Sequence, residues 1–508
     1  MTSIHQRFDL SETRMPFGEW AVSTPIILDG RPLTFDRHEY LREPYEDDHP
    51  YIVEMKAAQL GLTSKAMLKA LYGARYGGYS GILYLFPSKS DVLDFSKGRV
   101  SPLIEDNPDT IGQWVKDTDA AGIKRIWNSF LYLRGMKSRV GLKSIPVDFI
   151  IFDELDEAPQ NAIDMAMERM AHSEFKRVLM LSNPTIPDYG IDKAFQQTDQ
   201  RYWNIKCPSC SRWCCLEDDF PDCLVETDDG VIRACVGCGA ELDLAQGEWV
   251  SRHPGRDKRG YHYSQLFSSY VDPADILHQY RTTSNLTDFY NLKIGIPYIE
   301  ATNRLTIQEV LALCGSEGIA ERESGPCYMG VDQGKDLHVV IGKRAGGRPR
   351  IVHLGIYRDW EDLETIMNRF HISRCVVDAL PETRNARAFA RRHPGKVFLN
   401  YYQEHQKGRY RWNEADCTVA CNRTESLDAS HNEIMTGEIV LPKICELTEE
   451  FAKHMHNVAK RLEEDEESGS KRYVYVKLGT DHFRHAFNYE CMARQYGAGG
   501  LFEGMDIS

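Results

Sequence analysis

The feature that most restricts the fold is a run of four apolar residues that ends in two acids. Residues 147–154 read Val-Asp-Phe-Ile-Ile-Phe-Asp-Glu. An apolar run without alternation indicates a strand buried on both faces, as in parallel sheets covered by helices. Similar runs occur at 51–53, 81–86 and 178–181, with helix-like segments between them. The N-terminal part is therefore predicted to be an α/β domain with a parallel sheet that carries Asp153 and Glu154 at its carboxyl edge.

The bulk composition is that of an ordinary globular protein. The 508 residues are 42% hydrophobic and 27% charged, which predicts two or three domains with buried cores. No stretch approaches eighteen unbroken apolar residues, so no membrane span is expected. Residues 1–14 lack the apolar core of a signal peptide.

The net charge of −14 argues against an extensively basic surface. It does not exclude nucleic acid as a partner, because binding depends on local patches. Basic clusters lie at 252–259, 384–392 and 407–411. Each cluster is either a solvated face or a phosphate-binding patch, and the sequence leaves both open.

Residues 54–65 form a degenerate phosphate-binding loop, Glu-Met-Lys-Ala-Ala-Gln-Leu-Gly-Leu-Thr-Ser-Lys. The common pattern GxxxxGK[ST] has lysine where Leu62 stands, but Gly61 and Thr63 are in place. Backbone amides before a helix would cradle phosphate, Thr63 would ligate Mg²⁺, and Lys56 would supply the missing cation. The alternative is a strand–turn–helix junction without a ligand.

The acids after the second run fit the other half of an ATPase. Asp153 would hold the Mg²⁺ shell, and Glu154 would polarise the attacking water. An ordinary strand that ends in an acidic loop is the alternative, but the two motifs together predict ATP binding. The strand at 178–181 and the residues 182–185 that follow it would sense the γ-phosphate, and Arg99 is a candidate for neutralising transition-state charge.

Two CxxC pairs indicate a structural zinc site. They are separated by 24 residues, and four thiolates leave no open position on the metal. The predicted ligands are Cys207, Cys210, Cys235 and Cys238. Cys214, Cys215 and Cys223 lie between the pairs and are possible substitutes, or else buried thiols.

The C-terminal part contains three acids in strand-end or helix-start positions. Asp332 and Asp378 each follow a short apolar strand, and Asp481 opens a helix. Acids from distant segments can converge on two divalent metals that hydrolyse phosphodiesters, and carboxylates suit Mg²⁺ or Mn²⁺. His482 and His485 could contribute to the metal shell or bind substrate phosphate, but they are more simply interpreted as a polar helix face. The predicted division is an ATPase domain at 1–200, a zinc-binding insert at 201–250, a helical segment and linker at 251–326, and a second α/β domain at 327–508.

The order of these parts resembles the large terminase subunit of tailed bacteriophages, in particular its lambda-like branch. The resemblance covers roughly residues 30–490 and rests on the segments 56–63, 150–154, 182–185, 289–297, 422–426 and 481–486. It implies an N-terminal P-loop ATPase and a C-terminal ribonuclease H-like nuclease. The chain departs from the pattern at the second acid, which is often Glu, and at His485, where a further Asp is common.

The resemblance also implies roles for individual residues. ATP and Mg²⁺ would be held by Lys56, Gln59, Gly61, Leu62, Thr63 and Asp153, with Glu154 as the catalytic acid. Arg99 would be the arginine finger, and Phe35 and Tyr40 would pack against or recognise adenine. Asp332, Asp378 and Asp481 would hold the nuclease metals.

The function implied is a viral DNA-packaging motor that translocates double-stranded DNA into a procapsid and cuts concatemers. Its partners would be a small terminase subunit, a portal protein and further copies in a pentameric ring. It would act in the cytoplasm of the infected bacterial host and be absent from the mature virion. Two alternatives stay open: a helicase-like or remodelling DNA ATPase with a structural C-terminal domain, and a zinc-dependent nucleic-acid-binding scaffold with an inactive nucleotide fold.

Overall fold

The structure is a computed structural model that describes residues 15–137, 145–283, 285–300, 303–345, 348–406, 408, 410–464 and 471–495. The ends of the chain, and residues 407 and 409 of the third basic cluster, lie outside these ranges. The chain divides into two compact units, Met1–Ile299 and Glu300–Ser508. The four-part division drawn from the sequence stays a prediction.

The first unit is an α/β structure, as predicted. Its strands are β1 Ile27–Leu28, β2 Arg31–Pro32, β3 Tyr51–Lys56, β4 Gly81–Phe86, β5 Val115–Ala120, β6 Ile123–Ile126, β7 Ser129–Gly135, β8 Phe149–Asp153, β9 Arg177–Ser182, β10 Arg201–Lys206, β11 Trp213–Cys215, β12 Leu224–Thr227, β13 Gly230–Arg233, β14 Gly247–Ser251 and β15 Arg259–Tyr263. Its α-helices are α1 Phe17–Ser23, α2 Arg42–Glu46, α3 Leu62–Tyr76, α4 Lys89–Phe95, α5 Ser101–Asp106, α6 Gln160–Met167, α7 Gly190–Phe195, α8 Leu216–Asp219, α9 Pro273–Thr282 and α10 Leu286–Phe289.

The main sheet of this unit has a parallel centre, in the order β10-β15-β3-β9-β8-β4-β7. Antiparallel strands extend it at both sides. Strands β4 and β8 are buried along their whole length, as the unbroken apolar runs require. Because β9 lies between β3 and β8, three strand ends meet at one edge, where ligands of open α/β sheets bind.

The sequence does not predict β15, because its residues Arg-Gly-Tyr-His-Tyr contain no apolar run. The strand is instead fixed by pairing along the whole of β3, from Arg259 opposite Ile52 to Tyr263 opposite Lys56. Part of the segment predicted as helices and linker therefore belongs to the central sheet. Helices α9 and α10 do follow it.

The second unit is also α/β. Its strands are β16 Cys327–Gln333, β17 Leu337–Ala345, β18 Arg348–Tyr357, β19 Ile372–Asp378, β20 Val397–Tyr402, β21 Arg411–Asn413, β22 Thr418–Cys421, β23 Val458–Glu464 and β24 Lys471–Lys477. Its helices are α11 Ile307–Leu311, α12 Trp360–Arg369, α13 Thr383–Arg392, α14 Arg423–Met435, α15 Glu446–His456 and α16 His482–Gln495.

The main sheet of the second unit has the order β18-β17-β16-β19-β20-β22-β21. The first three strands are antiparallel, and β16, β19, β20 and β22 run parallel. Helix α16 lies directly on β16, because Gly330 has no side chain: a Cβ there would overlap the backbone oxygen of Ala486 and the backbone nitrogen of Glu490. This contact brings the start of α16 to the carboxyl end of β16.

Candidate functional site

The phosphate loop joins β3 to α3. Gly61, with φ of +80°, precedes the helix in a left-handed conformation that favours glycine. The N–H of Ala57 donates to the Tyr263 oxygen at 2.7 Å, and that of Ala58 donates to the Leu292 oxygen at 2.8 Å. Within the described residues, the N–H groups from 59 to 63 donate to no protein acceptor. They are available for an anion at the start of α3.

A cleft of about 420 Å³ opens over this loop, within the size range of small-molecule sites. Both predicted motifs and Arg99 line it, as does the segment after β9. The lining residues are Asp29, His38, Lys56, Ala58, Gln59, Leu60, Gly61, Leu62, Thr63, Ser64, Arg99, Glu154 and Asn183.

Lys56 is held as a cation at the base of the cleft. Its Nζ lies 3.0 Å from Glu154 Oε1 and 3.3 Å from Asn183 Oδ1. Asn183 Nδ2 in turn donates to the Lys56 oxygen at 2.8 Å. Burial alone would lower the pKa of Lys56, but the charges of Glu154 and Asp153 outweigh it and raise that pKa. Lys56 can therefore supply the positive charge that a lysine provides in the common pattern, at the position where this chain has Leu62.

Asp153 is the more deeply buried of the two acids on β8. Its Oδ1 lies 3.5 Å from Thr63 Oγ1, and its Oδ2 accepts a hydrogen bond from the Tyr84 hydroxyl at 2.8 Å. Burial first, and then the charge of Glu154, raises the pKa of Asp153 to about 7. A cation beside Thr63 and Asp153 would relieve this unfavourable charge, so the pair fits a Mg²⁺ site.

Arg99 and the two aromatic candidates lie in different surroundings. The Arg99 Nη1 is 3.3 Å from Asp29 Oδ2, and both side chains are exposed at the cleft. Phe35 and Tyr40 are buried and do not line it. The ring of Phe35 packs edge-on against Tyr45, with centroids 4.9 Å apart, and that of Tyr40 packs against Phe267. His38, between them in the sequence, is the residue of this segment that faces the cleft.

Two residues of this site have no motif in the sequence. Tyr84 carries a hydroxyl group in the otherwise apolar sequence of β4. That hydroxyl is the signal by which the sequence could have identified Tyr84. Asp156 is buried and accepts the Thr185 N–H at 2.8 Å and the Ile191 N–H at 2.6 Å. Asp156 thus joins the turn after Glu154 to the segment after β9.

The four predicted cysteines lie together in the first unit. Their sulfur atoms all lie within 4.8 Å of one another, with Sγ–Sγ distances of 3.6 Å for Cys207–Cys238 and Cys210–Cys235. A zinc tetrahedron with Zn–S bonds of about 2.3 Å has edges of about 3.8 Å, so the cluster fits Zn²⁺. Backbone hydrogen bonds overcome burial and lower the pKa of Cys235 to about 6, which favours the thiolate.

The three intervening cysteines are buried thiols. Burial is the main cause that raises the pKa of Cys214 and of Cys223 to about 12. They are outside the group whose sulfur atoms lie within 4.8 Å. The substitutes considered from the sequence are therefore not needed.

In the second unit, the predicted acids lie at adjoining elements. Val331 is paired with Val377, so Asp332 and Asp378 leave neighbouring parallel strands at the same edge. Asp481 directly precedes α16, which lies on β16. Asp378 is held through its backbone, since Gln333 Nε2 donates to its oxygen at 2.7 Å.

Basic side chains hold two of these acids. His482 Nδ1 is 2.8 Å from Asp332 Oδ2, and Asp481 is 3.5 Å from His485 Nε2 and 2.5 Å from Lys477 Nζ. Both histidines at the start of α16 therefore contact the predicted acids, His482 with Asp332 and His485 with Asp481. The carboxylate oxygens of these three described acids do not all lie within 4.8 Å of one another, whereas the sulfur atoms of the four cysteines do.

The three carboxyl groups differ in their electrostatics. Burial, followed by the charge of Asp332, raises the pKa of Asp378 to about 6. The pKa of Asp481 lies well below its usual value, because His485 and Lys477 outweigh burial. The hydrogen bond with Asp332 raises the pKa of His482. Buried acids whose charges repel each other are the donor set that a divalent cation stabilises.

None of the helices in the described ranges combines the length and the apolar character needed to cross a bilayer.

Residues 36–252 match the family model described as phage terminase large subunit gpA, ATPase domain. A search of curated proteins found no match. Several solved structures are similar at low sequence identity. The large terminase of a thermophilic bacteriophage is 12% identical, with 93% of this chain and 100% of that chain covered and a TM-score of 0.33.

Two further structures give similar values. The ATPase domain of the Thermus phage P74-26 large terminase is 12% identical, covering 54% of this chain and 96% of that one, with a TM-score of 0.34. The Phi-28 gp11 DNA packaging motor is 11% identical, covering 81% and 95%, with a TM-score of 0.30. These TM-scores are too low to carry an argument, and the informative match is that of residues 36–252 to the family model.

Proposed function

We propose that the chain is an ATP-driven DNA-packaging motor, because residues 36–252 match the family model of the phage terminase large subunit ATPase domain. It translocates double-stranded DNA into a procapsid and cuts concatemeric DNA with a nuclease in its second unit. The observation that carries the first half of the proposal is the meeting of Lys56, Glu154 and Asn183 over a loop with free N–H groups.

At the ATPase site, the N–H groups from 59 to 63 hold the phosphates, and Lys56 neutralises their charge. Thr63 and Asp153 would hold Mg²⁺, which would supply positive charge to balance the phosphates. Glu154 takes up the proton of the attacking water once ATP has displaced its contact with Lys56. Arg99 changes partner from Asp29 to the phosphates and acts as the arginine finger.

In the second unit, we propose a ribonuclease H-like nuclease with Asp332, Asp378 and Asp481 as the metal ligands. The proposal is supported by the sheet, with three antiparallel strands followed by parallel ones, and by Asp332 and Asp378 at neighbouring strand ends. Bound Mg²⁺ or Mn²⁺ would stabilise the attacking and leaving oxygens of the phosphodiester. Zn²⁺ held by the four cysteines is assigned a structural role.

The partners follow from the family. We propose that the chain forms a pentameric ring around DNA, that it is docked on a portal protein, and that it is loaded by a small terminase subunit in the host cytoplasm. A ring also fits the net charge of −14, since a few basic residues can face DNA while the outside stays acidic.

The test uses the full-length protein and two readouts. The first is ATP-dependent displacement of a third strand from a DNA triplex, which reports translocation along the duplex. The second is Mn²⁺-dependent cleavage of a plasmid. A packaging motor shows both. Displacement without cleavage under any metal would favour the helicase-like ATPase, and no ATP turnover at all would favour the inactive scaffold.

A further inference from the structure

One helix next to the acids of the second unit carries a row of exposed arginines. Helix α13 begins five residues after Asp378. Arg384, Arg387 and Arg391 are exposed and follow the spacing i, i+3, i+7, so they form one stripe. The opposite side of the helix is buried in the core through Ala386, Phe389 and Ala390.

These three arginines lack the acidic partners that similar arginines have. Arg281 is 2.7 Å from Glu226, Arg392 is 2.6 Å from Glu364, and Arg472 is 3.1 Å from Glu404. In the described part of the chain, no acid lies within ion-pair distance of Arg384, Arg387 or Arg391. Without acidic partners, the three arginines give this helix a local positive charge in a chain whose net charge is −14.

A groove of about 340 Å³ lies between this helix and the residues that follow Asp332. Its lining includes Asn385 and Ala388 of α13, and also Gln333, which follows Asp332 and contacts Asp378. The groove itself is mixed in charge, since three cations and three acids line it: Lys335, Arg358, Arg392, Asp359, Glu361 and Glu382. The purely cationic surface is therefore the exposed stripe of α13 beside the groove.

We propose that Arg384, Arg387 and Arg391 bind the phosphate backbone of double-stranded DNA and position it for cleavage at Asp332 and Asp378. The stripe spans about 10 Å of helix, at 1.5 Å per residue. Duplex DNA presents one phosphate charge per about 1.7 Å of its axis, so several phosphates fall within this length. Arginines that contact only phosphate fix the position of the duplex without reading its sequence. The positioning of DNA for cleavage rests on the proposed nuclease function, whereas the binding of DNA by these arginines does not.

The test is the salt dependence of duplex binding by the full-length protein, with EDTA and without ATP, so that neither activity is needed. Each phosphate contact contributes about 0.9 to the slope of log affinity against log salt. The variant Arg384→Gln/Arg391→Gln should lower this slope by about 1 to 2. We also expect it to weaken binding to a labelled 40-base-pair duplex by about tenfold at 0.1 M salt.

The control is Arg344→Gln/Arg348→Gln. These exposed arginines lie at the far end of the β17–β18 hairpin, about 24 Å along β17 from Leu337 at 3.4 Å per residue. The control should keep the parental slope. A third variant, Arg384→Lys/Arg391→Lys, should also keep most of the binding, because lysine still contacts phosphate as a point charge.

Three outcomes would overturn the proposal: a parent protein that does not bind duplex DNA, an unchanged slope in Arg384→Gln/Arg391→Gln, or equal loss in the control. A failed nuclease gives a different result, namely the expected change in slope with no metal-dependent cleavage by the parent. Because the stripe positions DNA, Arg384→Gln/Arg391→Gln should also raise the KM for plasmid cleavage more than it lowers kcat.

Discussion

The two units place acids at the same kind of position but surround them differently. In the first, Asp153 and Glu154 end a parallel strand and face a lysine and a row of free N–H groups. In the second, Asp332 and Asp378 end neighbouring parallel strands, and His482 lies 2.8 Å from Asp332. The first arrangement favours an anionic ligand that binds together with a metal ion. The second favours metal ions alone. Strand-end acids alone do not decide the ligand; the neighbouring charges do.

The sharpest test of this comparison is the loss of Glu154. Glu154→Gln keeps the loop and Lys56 but removes the base, so ATP turnover should fall by about 10²–10⁴-fold with ATP still bound. Steady-state hydrolysis and nucleotide-binding fluorescence would measure the two effects. The matched control is Glu157→Gln, an exposed acid in the same turn, which should be near parental. Turnover above a tenth of the parental value would remove Glu154 from the proposed role.

The second test asks whether the two sites are separate. Asp332→Ala should reduce Mn²⁺-dependent plasmid cleavage by about 100-fold or more, while ATP hydrolysis stays within about threefold, since the acids lie in different units. Asp336→Ala, in the turn between β16 and β17, is the control and should cleave normally. Equal loss of both activities in Asp332→Ala would contradict the division.

A third site sharpens the comparison, because the cysteines would hold a cation without any carboxylate. Cys235→Ser should lower bound zinc from one per chain to near zero. The Tm should fall by about 3–5 °C, the shift expected from losing about 2–3 kcal/mol in a unit of about 300 residues. Metal analysis and a thermal melt would show this. Cys445→Ser, an exposed thiol outside the cluster, should change neither value.

The smallest expected effect concerns pH. The pKa of Asp378 is raised from 3.8 to about 6, so its protonation stabilises the folded metal-free protein, and this contribution is lost as pH rises through about 6. Above that pH the carboxylate is charged and gains from a cation. We expect Mn²⁺ to raise the Tm by about 1–3 °C at pH 7.5 and by less than half as much at pH 5.5.

Asp378→Asn is the variant that isolates this effect, since its side chain has nearly the same shape and does not titrate. In Asp378→Asn the Mn²⁺ shift should lose its dependence on pH between 5.5 and 7.5. A shift that stays just as dependent on pH in this variant would assign the effect to another acid, with Asp153 the first to examine because its pKa is about 7.

The sequence could predict both strand-end motifs, because an apolar run and the acid after it are local signals. It could also place the CxxC pairs, since four thiolates in that spacing have few other uses. It could not predict that Asn183 and Glu154 share Lys56, or that His482 and His485 pair with the acids. Those contacts depend on the order of strands and on how α16 lies on β16. The basic stripe of α13 was visible as a cluster, but its lack of acidic partners is a property of the folded unit.

The anchoring of the phosphate loop has a consequence for protein synthesis. Ala57 and Ala58 are held by carbonyl groups of Tyr263 and Leu292, and Gln265 Nε2 donates to the Ala58 oxygen at 2.8 Å across 207 residues of chain. A growing chain that has not yet emerged from the ribosome past Leu292 lacks these anchors, although every residue of the loop has already been made. The nucleotide site is therefore completed late in translation, and a short nascent chain should not capture ATP.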